Sequence, residues 1–161
     1  MTKKILGSLI LGVALLVGGF AFASNGNLNG RTLQIQDGRE ISLCGSNGRF
    51  LSSENGGQNM RCNRTNIGAW ERFTVEVVGT NPLRLHLVAS NGRYVTVNSN
   101  NTLRANGTSP QDAALFTSGA SNGQHTLAIR GSFLSSENGN RTVRANRNSV
   151  GRWERWDISA Q

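Results

Sequence analysis

The chain has 161 residues, of which 37% are apolar, 16% are charged and 20 are glycine, and its formal charge is +8. This length and composition fit one globular domain and exclude both a disordered chain and a multi-domain enzyme. A polytopic membrane protein is excluded as well, because the one long apolar run lies at the N-terminus.

The N-terminal segment has the pattern of a secretory signal peptide. Lys3 and Lys4 precede an apolar stretch that ends at Ala23 in the small-x-small triplet Ala-Phe-Ala, which signal peptidase requires. We therefore expect cleavage after Ala23, a mature domain over residues 24–161, and a secreted or periplasmic protein without a membrane span. An uncleaved anchor is the alternative, although the stretch is short for a span.

The rest of the chain contains one unit three times. The first copy, ISLCGSNGRFLSSENGGQNMRCNRTNIGAWERFTV, covers residues 41–75, and the third copy, TLAIRGSFLSSENGNRTVRANRNSVGRWERWDI, covers residues 126–158. The middle copy, residues 85–118, keeps the frame but has lost several side chains. A period near forty residues indicates a repeat architecture, with repeats over about 31–79, 80–121 and 122–161.

Within each repeat, apolar and polar residues alternate over short runs that Asn-Gly or glycine-rich turns separate. This pattern is typical of strands and hairpins, and no long run with helical period follows Ser24. About four strands per repeat predict an all-β fold, a β-trefoil with pseudo-threefold symmetry. We expect Phe73, Phe116 and Trp156, which close the three repeats, to occupy equivalent interior positions.

Two cysteines, Cys44 and Cys62, would mature in an oxidising compartment. We therefore expect a disulfide between them. Two free thiols are the alternative, because Cys62 stands where the other repeats have alanine, which indicates a small core site.

A Trp-Glu pair near the end of repeats 1 and 3 is the strongest candidate for a binding site. If the segment from Trp70 is a strand, alternation turns Glu71 inward and leaves Trp70 exposed, and likewise for Glu154 and Trp153. An indole face packs well on the C–H face of a pyranose, and a carboxylate accepts hydrogen bonds from hydroxyls. Alternatively, each tryptophan covers the barrel edge and each glutamate caps loop amides.

The middle repeat lacks these features. Ala113 and Ala114 stand at the Trp-Glu positions, and Gly107 replaces an arginine that only the other two repeats share, Arg64 and Arg147. These arginines either pair with the carboxylates or donate to ligand hydroxyls. Two working sites would bind a polymer multivalently.

The series SNGRFLSSENGG, Asn-Arg after a small residue, and G-x-W-E-R-F resembles the fascin-like branch of the β-trefoils over nearly the whole mature chain. Within that branch, the Trp-Glu pairs are similar to those of secreted bacterial carbohydrate-binding modules of family 92. The resemblance implies binding of β-glucan through up to three equivalent sites. Ricin-type lectins differ, because their repeats end in Gln-x-Trp.

The inventory of reactive groups is poor for catalysis. His86 and His125 are the only histidines, neither has metal-ligand spacing, and the repeated carboxylates recur between repeats instead of pairing within one. The arginines are scattered, which argues against nucleic acid, and one trefoil is too few for actin bundling. We expect a monomeric, non-catalytic binder of polysaccharide or another glycan, with no metal or cofactor. A secreted trefoil that binds a protein partner is the alternative.

Overall fold

The computed structural model describes residues 34–161. The predicted signal peptide and its cleavage site lie outside these residues. Over the described range, no helix is long and apolar enough to cross a membrane.

The described chain is built from short strands joined by turns. The strands are β1 Glu40–Gly45, β2 Phe50–Ser52, β3 Arg61–Arg64, β4 Phe73–Gly79, β5 Arg84–Ala89, β6 Tyr94–Val97, β7 Leu103–Gly107, β8 Phe116–Ser121, β9 Gln124–Ile129, β10 Ser132–Ser135, β11 Arg144–Arg147 and β12 Trp156–Ala160. The 3-10 turns are η1 Glu54–Gly56, η2 Ala69–Glu71, η3 Pro110–Asp112, η4 Glu137–Gly139 and η5 Arg152–Glu154.

Six strands close a barrel. The antiparallel pairs β1–β4, β4–β5, β5–β8, β8–β9, β9–β12 and β12–β1 return to their starting strand. The remaining strands form three hairpins, β2–β3, β6–β7 and β10–β11, one in each repeat. Three four-stranded units around a closed barrel are the β-trefoil that the sequence predicts.

The barrel interior is filled by buried side chains, which alternate with more exposed ones most clearly along β5 and at the start of β4 and β12. Phe73, Phe116 and Trp156 are fully buried at equivalent positions, as expected from the repeats. The buried indole N–H of Trp156 has a hydrogen-bond partner, since Nε1 donates to the carbonyl of Leu134 at 3.1 Å. A buried N–H without a partner would be costly, so this bond permits tryptophan where the other repeats have phenylalanine.

Neighbouring repeats interlock at glycine turns. Gly56 has a positive φ of 74° and packs so tightly on the carbonyl of Ala105 that an added Cβ would collide with it. Nε of Arg104 donates to the Gly56 carbonyl at 2.9 Å. Gly139, with φ of 76°, packs in the same way, because an added Cβ would lie 2.7 Å from the carbonyl oxygen of Cys62. Repeats 1 and 3 thus each dock one turn on the next repeat.

The predicted disulfide between Cys44 and Cys62 is wrong, because both cysteines are free. Strand β2 lies between their strands, and adjacent residues of a strand face opposite sides. The sulfur of Cys62 lies on the side of the sheet that Gly45 faces, since a Cβ added to Gly45 would be 2.8 Å from it. Cys44 precedes Gly45 in the same strand, so its side chain faces the opposite side. Cys62 is buried at the site that Ala105 and Ala145 fill in the other repeats, as the alternative interpretation expected.

We predict unequal reactivity of the two thiols. Burial raises the pKa of Cys62 to about 12, while Cys44 is only half-buried. Iodoacetamide at pH 8 should label Cys44 slowly in folded protein and Cys62 only after unfolding, as counted by intact mass. A native mass two hydrogens low that reductant restores would contradict this account.

The same shift predicts a loss of stability in alkali. Because the pKa of Cys62 is raised from 9.0 in the folded state, its thiol ionises first in the unfolded chain. The stability contributed by the neutral buried thiol is complete below pH 9 and declines as the pH rises toward about 12. Urea unfolding of Cys62→Ala, the residue of the other repeats, should show a smaller decline over this pH range than the wild type.

We also predict that Gly56→Ala and Gly139→Ala each lower the free energy of unfolding by about 2 kcal/mol or more, through backbone strain and collision. Gly48→Ala is the matched control, because Gly48 has φ of 71° but nothing within 4 Å of an added Cβ. It should cost only about 1 kcal/mol, from the conformation alone. Equal losses in urea unfolding at all three positions would show that inter-repeat packing contributes little.

Candidate functional site

The two Trp-Glu pairs lie on capped 3-10 turns, η2 and η5, and not on strands as predicted. Trp70 and Trp153 are 41% and 39% exposed, whereas Glu71 and Glu154 are each 5% exposed. The predicted exposure is therefore correct, but it arises from the turn and not from strand alternation.

The caps explain why these residues form turns. Glu71 Oε2 accepts a hydrogen bond from the backbone N–H of Gly68 at 2.9 Å, and Glu154 Oε2 accepts one from Gly151 at 2.8 Å. Each glutamate thus satisfies a free N–H at the start of its own turn. Glycine suits the first position, because a Cβ at Gly68 would lie 3.1 Å from that carboxylate oxygen.

An arginine joins two carboxylates beside each tryptophan. In repeat 1, Nη2 of Arg64 lies 2.9 Å from both carboxylate oxygens of Glu54, and its Nε lies 3.7 Å from Glu71 Oε1. Both carboxylates are mostly buried, so the shared guanidinium offsets their desolvation. We call these three residues the repeat 1 ion cluster.

Repeat 3 builds the same cluster. Nη2 of Arg147 lies 2.7 Å from Glu137 Oε1, and its Nε lies 3.6 Å from Glu154 Oε1. Both arginines therefore pair with carboxylates, and both Trp-Glu carboxylates make the capping contacts of the alternative interpretation. The pairs use Nη2 and Nε, and the arginine side chains remain 36–38% exposed.

The outer carboxylates, Glu54 and Glu137, are site residues that the sequence analysis missed. Each begins a left-handed turn, with φ of 51° and 52°, and the asparagine after each has φ of 50° and 52°. Such values cost about 1–2 kcal/mol per residue outside glycine. The signal was present, because the pentapeptide SSENG occurs only in the two repeats that carry the Trp-Glu pair.

The exposed tryptophans are held in place by their surroundings. The backbone N–H of Ser53 donates to the Trp70 carbonyl at 2.8 Å, and Ser136 donates to that of Trp153 at the same distance. The guanidinium carbon of Arg64 lies 5.9 Å from the centre of the Trp70 ring, within range of a cation–π contact. In repeat 1 the turn therefore presents a half-exposed indole beside a partly exposed guanidinium.

Repeat 2 differs from its predicted alignment. Its turn, η3, ends at Asp112, whose Oδ2 accepts from the backbone N–H groups of Thr108 and Ser109 at 2.9 and 3.2 Å. Asp112 therefore takes the capping place of Glu71, and Gln111 takes the place of Trp70. The sequence alignment, which put Ala113 and Ala114 at the Trp-Glu positions, is wrong by two residues. The alignment failed because three residues, not one, separate this turn from the next strand.

The carboxylates of the two ion clusters are all engaged in contacts within the protein. Within residues 34–161, no group of three or more histidine, cysteine or acidic side chains is placed to hold a metal ion. Each cluster carboxylate already faces a guanidinium, and Glu71 and Glu154 also cap their turns.

We predict that Arg64→Met destabilises the fold by about 1–3 kcal/mol, because it leaves Glu54 and Glu71 mostly buried without their cation. Arg72→Met is the matched control, since Arg72 forms only an exposed pair with Glu40. It should change the free energy of unfolding by less than about 0.5 kcal/mol. Equal effects of the two variants in urea unfolding would show that the ion cluster is not a structural element.

Comparison with solved structures supports the fold. A designed three-fold symmetric protein, ThreeFoil, is 20% identical, with a TM-score of 0.64 over 74% of this chain and 97% of its own. The agglutinin of Rhizoctonia solani is 16% identical, with a TM-score of 0.65 over 77% of this chain and 96% of its own. Likeness at this identity shows the fold alone. No curated protein sequence matches the chain.

A family model gives the assignment that fold likeness cannot. The fascin domain model matches residues 27–118, which is more than half of the chain and spans repeats 1 and 2. The SSENG and Trp-Glu segments of repeat 1 fall within that match. Membership in family 92 of the carbohydrate-binding modules is not shown by any of these matches. With the twelve-stranded trefoil described above, the match shows that this protein belongs to the fascin domain family.

Proposed function

We propose that this protein is a non-catalytic carbohydrate-binding trefoil that uses Trp70 and Trp153 as sugar platforms. The observation that carries the proposal is the paired exposure of these two indoles, 41% and 39%, on equivalent turns of a small domain. Exposed tryptophan is uncommon away from recognition surfaces, since its large apolar face is otherwise best buried.

The surroundings of each indole suit a pyranose. A flat indole accepts the C–H face of a sugar ring, and a fixed turn lowers the entropy lost on binding. Glu71 and Glu154 act as positioning residues, since their oxygens cap the turns and face the arginines. The hydroxyl partners in this proposal are the arginines, whose Nη1 groups lie outside the carboxylate pairs.

Two further facts support a glycan ligand. A protein with a similar fold is named an agglutinin, a name used for lectins. The two ion clusters use equivalent residues, an arginine that joins an outer and a capping glutamate, so repeats 1 and 3 offer a ligand similar surroundings. A ligand made of identical units would use both at once.

The finer proposal is a polysaccharide of the β-glucan type, bound bivalently. Linking two weak sites on one polymer raises the apparent affinity without any new contact. This specificity, like secretion to the periplasm or medium, follows from the sequence resemblance and stays a proposal.

We predict that calorimetric titration of residues 24–161 with a short β-glucan reports two sites. Trp70→Ala should remove one site and Trp153→Ala the other, each at a cost on the order of 1–3 kcal/mol in binding. The double variant should no longer pellet with insoluble β-glucan. All three should stay folded by circular dichroism, because truncating an exposed side chain leaves no large cavity.

Val78→Ala is the matched control for this experiment. Val78 is a 50% exposed apolar side chain at the far end of β4, so its loss should leave binding unchanged. Full binding of β-glucan by the folded double variant would overturn the proposal. Loss of binding in Val78→Ala as well would show a nonspecific apolar effect.

A further inference from the structure

Repeat 2 has an exposed apolar side chain of its own, Leu115, just after the turn that corresponds to the tryptophan turns of the other repeats. Leu115, 38% exposed, lies in the segment between η3 and β8, whereas Trp70 and Trp153 lie on the turns η2 and η5 themselves. The three-residue link to β8, two residues longer than in the other repeats, carries Leu115 outward. The middle repeat therefore presents a different surface at this place instead of a tryptophan turn.

This link borders a pocket of about 370 Å³ between repeats 2 and 3. Its apolar lining includes Val97, Leu115 and Ile129, and its polar lining includes Asp112 and Arg130. A volume of this size is within the range of small-molecule sites, which combine apolar walls with a few polar groups. No aromatic residue lines it, so it cannot act as a stacking platform like the tryptophan turns.

Arg130 is held in a conformation that its residue type disfavours. It forms the two-residue turn between β9 and β10 with Gly131, and both residues have positive φ, 52° and 79°. Such turns favour Asn-Gly or Gly-Gly, and a strained residue that lines a pocket points to a functional reason for the side chain. Here the side chain brings a guanidinium to the rim.

Asp112 supplies the opposite charge. The backbone N–H and hydroxyl of Thr108 and of Ser109 all lie against its Oδ2, at 2.9 to 3.3 Å, which leaves Oδ1 for a ligand. The same hydrogen bonds, those from Thr108 foremost, lower the pKa of Asp112. The carboxylate therefore stays ionised and accepts hydrogen bonds across the neutral pH range.

We propose that this pocket is a third binding site, with a chemistry different from that of the tryptophan sites, and that it takes an acetamido sugar. The aliphatic wall accepts the acetyl methyl group, which a plain hexose does not have. Asp112 Oδ1 accepts from the amide N–H, and Arg130 donates to the amide carbonyl or an adjacent hydroxyl. The site needs neither Trp70 nor Trp153, so it can be tested independently of the tryptophan sites.

The test uses the Trp70→Ala/Trp153→Ala double variant, so that only the pocket is measured. Methyl glycosides of N-acetylglucosamine, N-acetylgalactosamine and glucose are titrated into ¹⁵N-labelled protein. The proposal expects saturable shifts of the amides of residues 111–115 and 129–131 with at least one acetamido sugar. Glucose should bind about tenfold more weakly or not at all.

Arg130→Gly separates binding from folding. Glycine relieves the left-handed strain and removes the guanidinium, so the melting temperature should not fall while affinity for the acetamido sugar drops about tenfold. Arg130→Lys keeps a positive charge but loses the planar guanidinium. It should therefore retain part of the affinity for the acetamido sugar that Arg130→Gly loses.

Three results with the sugars would overturn the proposal: no shifts at the pocket, equal affinity for glucose, or unchanged affinity in Arg130→Gly. N-acetylalanine methylamide serves as a further probe, because a peptide is the other source of an acetamide group. Affinity for it equal to that for the sugars would assign the pocket to peptide and would equally contradict a sugar site. Failure here leaves the β-glucan titration of Trp70 and Trp153 unaffected, since those sites are absent from this variant.

Discussion

A mostly buried carboxylate must face a cation or several hydrogen-bond donors, and in repeats 1 and 3 two carboxylates face the same arginine. The guanidinium of Arg64 connects three separate pieces of chain: its own strand β3, the left-handed turn at Glu54, and the capped turn that carries Trp70. Remove it, and the strained turn loses the contact that offsets its backbone cost. The position of the exposed indole therefore depends on an ion pair beneath it.

The same logic explains what distinguishes the middle repeat. Gly107 occupies the arginine position, and an added Cβ there would lie 2.9 to 3.1 Å from Thr96 and Tyr94. No larger side chain fits without a shift, so repeat 2 cannot build the ion cluster. Its turn is capped instead by the shorter Asp112, and the two extra residues before β8 open the pocket. One fold thus carries two copies of one surface and one copy of another.

Much of the fold followed from the sequence, because repeats and alternation are direct consequences of strand geometry. Phe73, Phe116 and Trp156 could be placed in the core from the repeat frame alone. The disulfide could not be judged in this way, because Cys44 and Cys62 are close in sequence yet lie on β1 and β3 and face opposite sides of the sheet. Proximity within a repeat says nothing about the direction of a Cβ vector.

The candidate site was half predictable. The exposure of Trp70 was expected, but the turn was not. Gly68-x-x-Glu71 is the pattern of a turn cap, and Ser109-x-x-Asp112 is the same pattern with a shorter acidic side chain. Aligning on that cap would have placed Asp112 and Gln111 correctly. The left-handed conformation of Glu54 and Asn55 could not be predicted, since it occurs together with a tertiary contact between Glu54 and Arg64 that the sequence does not reveal.

The most direct measurement is the response of the three tryptophan indole N–H signals of the wild-type protein to a β-glucan oligosaccharide in ¹⁵N–¹H NMR spectra. Trp70 and Trp153 are exposed, whereas Trp156 is fully buried and donates to Leu134, so it serves as an internal reference. The account predicts saturable shifts of the two exposed indoles and a stationary Trp156 signal. Binding of the oligosaccharide that leaves Trp70 and Trp153 unmoved would contradict it.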